Sequence, residues 1–120
     1  MTDASAANPN PSYTDLDRYQ RDAARTLNPS LSSVERTLDA AAGLAEEAGE
    51  VLAMIRKHLF QRRPLNRDQL RAELGDALWC LAAVATATEM SLGDVAQQNL
   101  AKLHDRYPMG FAPHPGHGAD

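Results

Sequence analysis

Leu44–Ile55 reads LAEEAGEVLAMI and Leu70–Leu81 reads LRAELGDALWCL. A shift of 26 positions lays the first segment on the second: Leu44 falls on Leu70, Glu47 on Glu73, Gly49 on Gly75, Glu50 on Asp76, Leu52 on Leu78 and Ile55 on Leu81. Each segment carries two carboxylates at i and i+3 beside an apolar stripe. On a helix such residues share a face, with Cβ atoms about 5–6 Å apart. Two such helices packed together bring Glu47, Glu50, Glu73 and Asp76 into one cluster. Uncompensated carboxylates repel each other, so the cluster implies divalent cations. Hard oxygen ligands point to Mg²⁺, with Mn²⁺ able to substitute.

Outward from these segments the helical period persists and the strand signal is almost absent. Thr14–Thr26 reads as a first helix, broken by Asn28-Pro29. Ser32 or Ser33 caps a second helix that runs to about Leu59, and Gly43 kinks it or divides it in two. Its stripe is Leu44, Ala48, Val51, Leu52, Ile55 and Leu59. After the turn at Arg63–Asn66, Asn66 caps a third helix with Leu70, Leu74, Ala77, Leu78, Leu81, Val84 and Ala85 on its stripe. It ends near Glu89-Met90. Ser91 caps the fourth helix, with Asp94 in its first turn; Leu92, Val95, Leu100 and Leu103 face inward, and Pro108 stops it. The expected fold is all-α, a compact bundle of four to five helices with short connections.

At about 100° per residue, the stripe of the second helix centres about 80° from Glu47, and Glu50 lies about 60° on the other side. Glu73 and Asp76 keep the same offset on the third helix. The two pairs therefore flank the core seam in equivalent ways. Gly49 and Gly75 each stand just before the last carboxylate of their pair, although glycine inside a helix costs about 1 kcal/mol relative to alanine. A missing side chain there lets backbone or ligand come close. A di-iron bundle needs Glu-x-x-His, and no Glu of this chain has a His three residues later. His58 and His104 read as surface residues, and His114 and His117 lie in the tail.

The chain has 120 residues and a net charge of −4. Duplex-binding proteins are usually basic, so polymeric nucleic acid is not an expected partner. Residues 1–12 and 109–120 have the composition of a disordered leader and a flexible tail around a domain at 13–108. So small a core is marginal alone, and oligomerisation is expected. Arg56, Lys57, Arg62, Arg63, Arg67 and Arg71 crowd the stretch between the acidic segments. They form either a solvated helix end or a rim that draws a phosphorylated small molecule toward the metals. Cys80 is the single cysteine, so no intrachain disulfide forms, and it reads as a small core residue. No run is long enough to span a membrane and no signal peptide is legible, which makes the cytoplasm the default location.

With Tyr19-Gln20 and Thr26, GLAEEAGEV at Gly43–Val51, ELGDALW at Glu73–Trp79 and NLAKLHDRYPMGF at Asn99–Phe111, the chain resembles the MazG-like, all-α nucleoside triphosphate pyrophosphohydrolases. The resemblance covers about Tyr19 to Phe111. It implies hydrolysis between the α- and β-phosphates of a nucleoside triphosphate, giving the monophosphate and pyrophosphate, with Glu47, Glu50, Glu73 and Asp76 as Mg²⁺ ligands. Among the catalytic candidates Glu46, Glu47 and Glu50, Glu46 matches an extra acid before the ligand pair, as general base or outer-shell ligand. By the same resemblance Lys57, Lys102 and Arg106 meet phosphate oxygens. Asn99, Tyr107, Tyr19 and Gln20 shape the nucleotide pocket, although Tyr107 fits a core position equally well, and Trp79 serves stacking or a subunit contact. The short link between the acidic motifs resembles the compact single-domain members, which assemble as homodimers or homotetramers.

Two other readings compete. The same fold can act on a different nucleotide, such as phosphoribosyl-ATP or one specific pyrimidine triphosphate. A non-catalytic nucleotide-binding oligomerisation module can also retain an acidic site. Intact carboxylates at all four positions favour the enzyme.

Overall fold

The structure, a computed structural model, describes residues 15–113. The expected start of the first helix at Thr14, the leader at 1–12 and the tail from 114 onward lie outside the described residues. Among these, four helices follow one another with no strand: α1 Leu16–Ala24, α2 Ser33–Phe60, α3 Arg67–Ala87 and α4 Leu92–Arg106. No helix among them is long and apolar enough to cross a membrane.

Each helix begins where its polar chemistry dictates. A helix leaves its first amides without intrahelical partners, and a short polar side chain just before it supplies one. Asp15 accepts from the amides of Asp17 and Arg18 at 3.0 and 3.2 Å. Ser32 and Glu35 form a reciprocal capping box, with the Glu35 amide donating to Ser32 Oγ at 3.1 Å and the Ser32 amide donating to Glu35 Oε1 at 2.8 Å. Asn66 accepts from the Gln69 amide at 3.0 Å, and Ser91 from the Asp94 amide at 3.1 Å. Beyond α3 the chain reverses through Glu89 at φ 60°, in the left-handed region.

Helix α2 runs unbroken through Gly43, so the glycine does not divide it in two. The glycine serves packing instead. A Cβ placed there would stand 2.9 Å from Cys80 Sγ on α3. Helices α2 and α3 form an antiparallel hairpin with the most extensive interhelical packing of the fold, α1 lies across α3, and α4 packs chiefly on α1.

The seam of this hairpin agrees with the expected stripes in part: Leu44, Val51, Ile55, Leu70, Ala77, Val84 and Ala85 are covered, whereas Ala48, Leu52, Leu59, Leu74, Leu78 and Leu81 are exposed. The covered positions step by three and four along Ala40, Gly43, Glu47, Val51 and Met54 of α2 and along Leu70, Glu73, Ala77, Cys80 and Val84 of α3. Glu47 and Glu73 thus lie on the seam and do not flank it. Leu52 and Leu74, assigned inward by their apolar period, are 59% and 52% exposed. On α4 only Leu92 is buried; Val95, Leu100 and Leu103 are exposed and do not face inward. Among the described residues the buried ones are Ala40, Cys80, Ala82, Ala83, Ala85 and Leu92, so the interior is built mainly from small side chains. Among the described residues the four helices and the absence of strands agree with the all-α expectation of four to five helices.

Candidate metal centre

The Gly43–Cys80 approach sets the spacing of the hairpin. Four residues on from Gly43 is Glu47, and four residues back from Cys80 is Asp76, so the next turn of the seam brings these side chains together. Glu47, Glu73 and Asp76 each offer one carboxylate oxygen, and the three oxygens lie within 4.8 Å of one another. Glu47 and Glu73 are half-buried and Asp76 is exposed, so the group opens to one side.

Neither the Arg25–Asp22 nor the Arg71–Asp68 ion pair reaches the cluster. Glu47 Oε1 is fully covered and has no hydrogen-bond partner. The carboxyl as a whole is pushed up to about 7. A hydrogen bond shared with Glu73 is the chief cause, followed by burial and then by the charges of Glu73, Asp76 and Glu50. A bound cation would relieve the repulsion that drives carboxylates this close to share protons. An orphaned oxygen, an all-oxygen donor set and an open side fit a hard divalent ion. Cys80 completes the wall without joining the donor set. Burial pushes its thiol up, and the charges of Glu47, Asp76, Asp39 and Glu46 add to the shift. It stays a protonated packing group.

The other expected site residues divide by location. Glu50 is exposed on α2, and its charge bears on Glu47, but its oxygens fall outside the group of three. Glu46 is exposed beside it. Tyr19 of α1 borders the cluster: burial raises its hydroxyl, with the Asp76 charge as the second cause. Half-buried Trp79 donates from Nε1 to Thr26 Oγ1 at 2.7 Å, which ties α3 to the end of α1. Lys57 lines a cavity of about 220 Å³ at the α2–α3 corner with Met54, His58, Arg63, Asn66 and Gln69. It stands two turns beyond Glu50, about 10 Å along the helix axis.

The residues of α4 are not gathered here. Asn99 and Lys102 are exposed, Arg106 and Tyr107 are half-buried, and the Tyr107 ring stands 5.6 Å from that of Phe111. Among the described residues no hydrogen bond or ion pair joins Asn99, Lys102 or Arg106 to the carboxylates. The side-chain amide of Gln20 is occupied at the α3–α4 turn, donating to Thr86 Oγ1 at 3.1 Å and to the Met90 carbonyl at 2.9 Å. The sequence reading passed over Asp17, which grips the same turn. Its only signal was its place three residues before Gln20, on the same helix face.

The sequence pattern of the MazG nucleotide pyrophosphohydrolase domain matches residues 36–111. The match takes in the whole carboxylate cluster and all of α4, and leaves α1 outside. The chain is also similar to the Gene 37 protein of Mycobacterium phage L5, at 40% identity over 72 residues. That alignment covers 57% of this chain and 63% of the phage protein, so the chain spans a little under two thirds of this relative. No solved structure matches the chain.

Proposed function

Because the chain belongs to the MazG nucleotide pyrophosphohydrolase domain family, we propose that it hydrolyses (deoxy)nucleoside triphosphates at the α–β bond in a Mg²⁺-dependent reaction. Water adds to the α-phosphorus, the bond to the bridging oxygen breaks, and nucleoside monophosphate and pyrophosphate leave. The physiological role that fits is cleaning of the nucleotide pool in the cytoplasm. The observation that carries this reading is the Glu47–Glu73–Asp76 group with its orphaned Glu47 oxygen.

Glu47, Glu73 and Asp76 hold the metal, with Glu50 completing the set from the open side. When bound, Mg²⁺ (or Mn²⁺) neutralises charge on the phosphates and lowers the pKa of water. The protein's own residues do the rest. Glu46 or Glu50, both solvent-facing beside the cluster, takes the proton of the attacking water. Lys57, Lys102 and Arg106 orient phosphate oxygens, Lys as a point charge and Arg as a fork. Tyr19, Trp79, Asn99 and Tyr107 bound the nucleotide, whereas Gln20, expected there as well, is engaged at the α3–α4 turn.

The assembly we propose is a homodimer or homotetramer. Its support is the apolar surface that one chain leaves uncovered: Leu52 and Leu74, with Leu78, Leu81, Leu100 and Leu103. The α4 cations lie apart from their own chain's cluster, and such an assembly supplies them from a second copy. The test is product analysis on a panel of ribo- and deoxyribonucleoside triphosphates with Mg²⁺, alongside Glu50→Gln. Monophosphate plus pyrophosphate, lost in the variant, supports the reaction; diphosphate plus phosphate refutes the cleavage point.

A further inference from the structure

The first half of α1, which lies outside the family match, is joined to the start of α4 by a polar latch apart from the carboxylate cluster. Helix α4 opens with three amides that have no partner inside the helix. The Leu92 amide donates to Gln20 Oε1 at 2.7 Å, the Gly93 amide to Asp17 Oδ1 at 2.8 Å and the Asp94 amide to Ser91 Oγ at 3.1 Å. Ser91 Oγ in turn donates to Asp17 Oδ1 at 2.7 Å. Two of the three amides are therefore satisfied from α1, a separate helix more than seventy residues away in the chain. Gln20 also holds the preceding turn through Thr86 and Met90. Asp17 and Gln20 are one helical turn apart and grip adjacent amides.

The fit is close enough that a side chain at position 93 would have to displace the Asp17 carboxylate. A Cβ on Gly93 would stand 2.9 Å from Asp17 Oδ2 and 3.0 Å from Oδ1. The hydrogen bonds from Ser91 and Gly93 are also the leading causes that hold the Asp17 carboxyl below its ordinary range.

Beyond this end, α4 has little to hold it. Leu92 is its one buried residue, packed with Ala82 and Ala85. Val95, Leu100 and Leu103 are exposed, and the helix packs chiefly on α1. The direction of α4 is therefore fixed at its first turn. Lys102 and Arg106 lie ten and fourteen residues along it, so a tilt at the latch moves them by several ångströms: about 15–20 Å of lever arm at 1.5 Å per residue.

We propose that Asp17, acting with Gln20, is a positioning residue that aims α4 and so places Lys102 and Arg106 for the triphosphate. This rests on the proposed nucleotide reaction. A misaimed α4 weakens phosphate binding, which both ground state and transition state share, and leaves the metal cluster on α2 and α3 intact. The signature is a raised KM with little change in kcat.

The experiment compares Asp17→Ala, Asp17→Asn and Gly93→Ala with wild type in the full-length protein. Steady-state kinetics on the best triphosphate of the panel are read together with amide hydrogen exchange. Alanine at 17 removes the acceptor, and alanine at 93 displaces it. Asparagine keeps an oxygen that can accept from both Ser91 and Gly93. The expected result for both alanine variants is faster exchange at the first turn of α4, unchanged exchange in α2 and α3, and KM raised about tenfold. Unchanged exchange in α2 and α3 also shows that these variants remain folded. Asp17→Asn should restore KM to near the wild-type value. The proposal is overturned if α4 exchange does not change, if it accelerates while KM stays constant, or if asparagine behaves as alanine does. Turnover by wild type with unaltered variants overturns the latch alone, whereas a wild type that hydrolyses no triphosphate overturns the reaction and the latch's role in it.

Discussion

Gly43→Ala tests whether the close approach of α2 and α3 sets the geometry of the carboxylate cluster. The new Cβ would stand 2.9 Å from Cys80 Sγ, where ordinary contact is 3.4–4 Å, so one group must give by about half an ångström or more. Cys80 is buried at 7% exposure and has little freedom to move away. Overpacking of this kind costs about 1–3 kcal/mol, and the gain in helix propensity on leaving glycine returns about 1 kcal/mol. The net expectation is a loss near 1 kcal/mol, or roughly 4–8 °C in melting temperature for a domain of this size. In a Cys80→Ala background the sulfur is gone, the clash vanishes and only the propensity gain remains. The same substitution should then stabilise by about 1 kcal/mol. The prediction is therefore a reversal of sign, measured as a double-mutant cycle by thermal and urea unfolding in metal-free buffer. A Mn²⁺ titration of the same four proteins should track it, weakest in Gly43→Ala alone, because Glu47 and Asp76 lie one turn from the contact. Equal stabilisation by Gly43→Ala in both backgrounds would refute the argument. So would a destabilised single variant with unchanged Mn²⁺ affinity, since the spacing would then not reach the carboxylates.

Other consequences follow from the same cluster. Glu47→Gln removes one of the repelling charges, so the metal-free protein should melt several degrees higher while Mg²⁺-dependent turnover falls more than about 100-fold; a variant that loses both stability and activity would contradict the repulsion. In the metal-free protein the folded-state pKa of Glu47 lies near 7, above its ordinary 4.5. The stability this group contributes is present below pH 4.5 and is lost as pH rises through 7. The melting temperature of wild type relative to Glu47→Gln should accordingly fall across that window, and saturating Mg²⁺ should cancel the fall; a flat difference would show that Glu47 is ionised throughout. A Cβ on Gly49 or Gly75 would meet nothing within 4 Å. Alanine at either site should therefore stabilise its helix by about 1 kcal/mol and lower turnover through the space it takes beside the carboxylates, and unchanged turnover would remove that glycine from the substrate-facing surface.

The sequence made the helices legible because their starts are local chemistry. Ser32, Asn66 and Ser91 each cap within three residues of chain, and all three caps are present. The pairing of Glu47 with Glu73 and Asp76 was legible for a related reason: a repeated i, i+3 spacing on two helices joined by a short link leaves few other registers. Gly43 was not legible, because a glycine that admits a neighbouring sulfur and one that bends a helix look alike until the partner helix is in place. Asp17 was hidden for the same reason. Its partners are the Ser91 hydroxyl and the Gly93 amide, more than seventy residues along the chain.

The partly misplaced seam has a deeper cause. Apolar periodicity finds the face of a helix with the largest hydrophobic sum, and it assumes that this face packs within the chain. Here the α2–α3 seam has Val51, Met54, Leu70 and Val84 among its covered positions, but between them stand Gly43, Glu47, Glu73, Ala77 and Cys80, small and acidic residues that yield little burial energy. Larger side chains on these turns, Leu52 and Leu74 among them, point elsewhere. A hairpin that gives its seam to carboxylates loses apolar contact there, and it must recover that contact on another face. The exposed leucines of α2, α3 and α4 are where such recovery can occur, and a second copy of the chain is the partner that the proposed assembly supplies. The cluster and the exposed leucines are then two results of one arrangement: acid placed where a self-sufficient hairpin would have leucine.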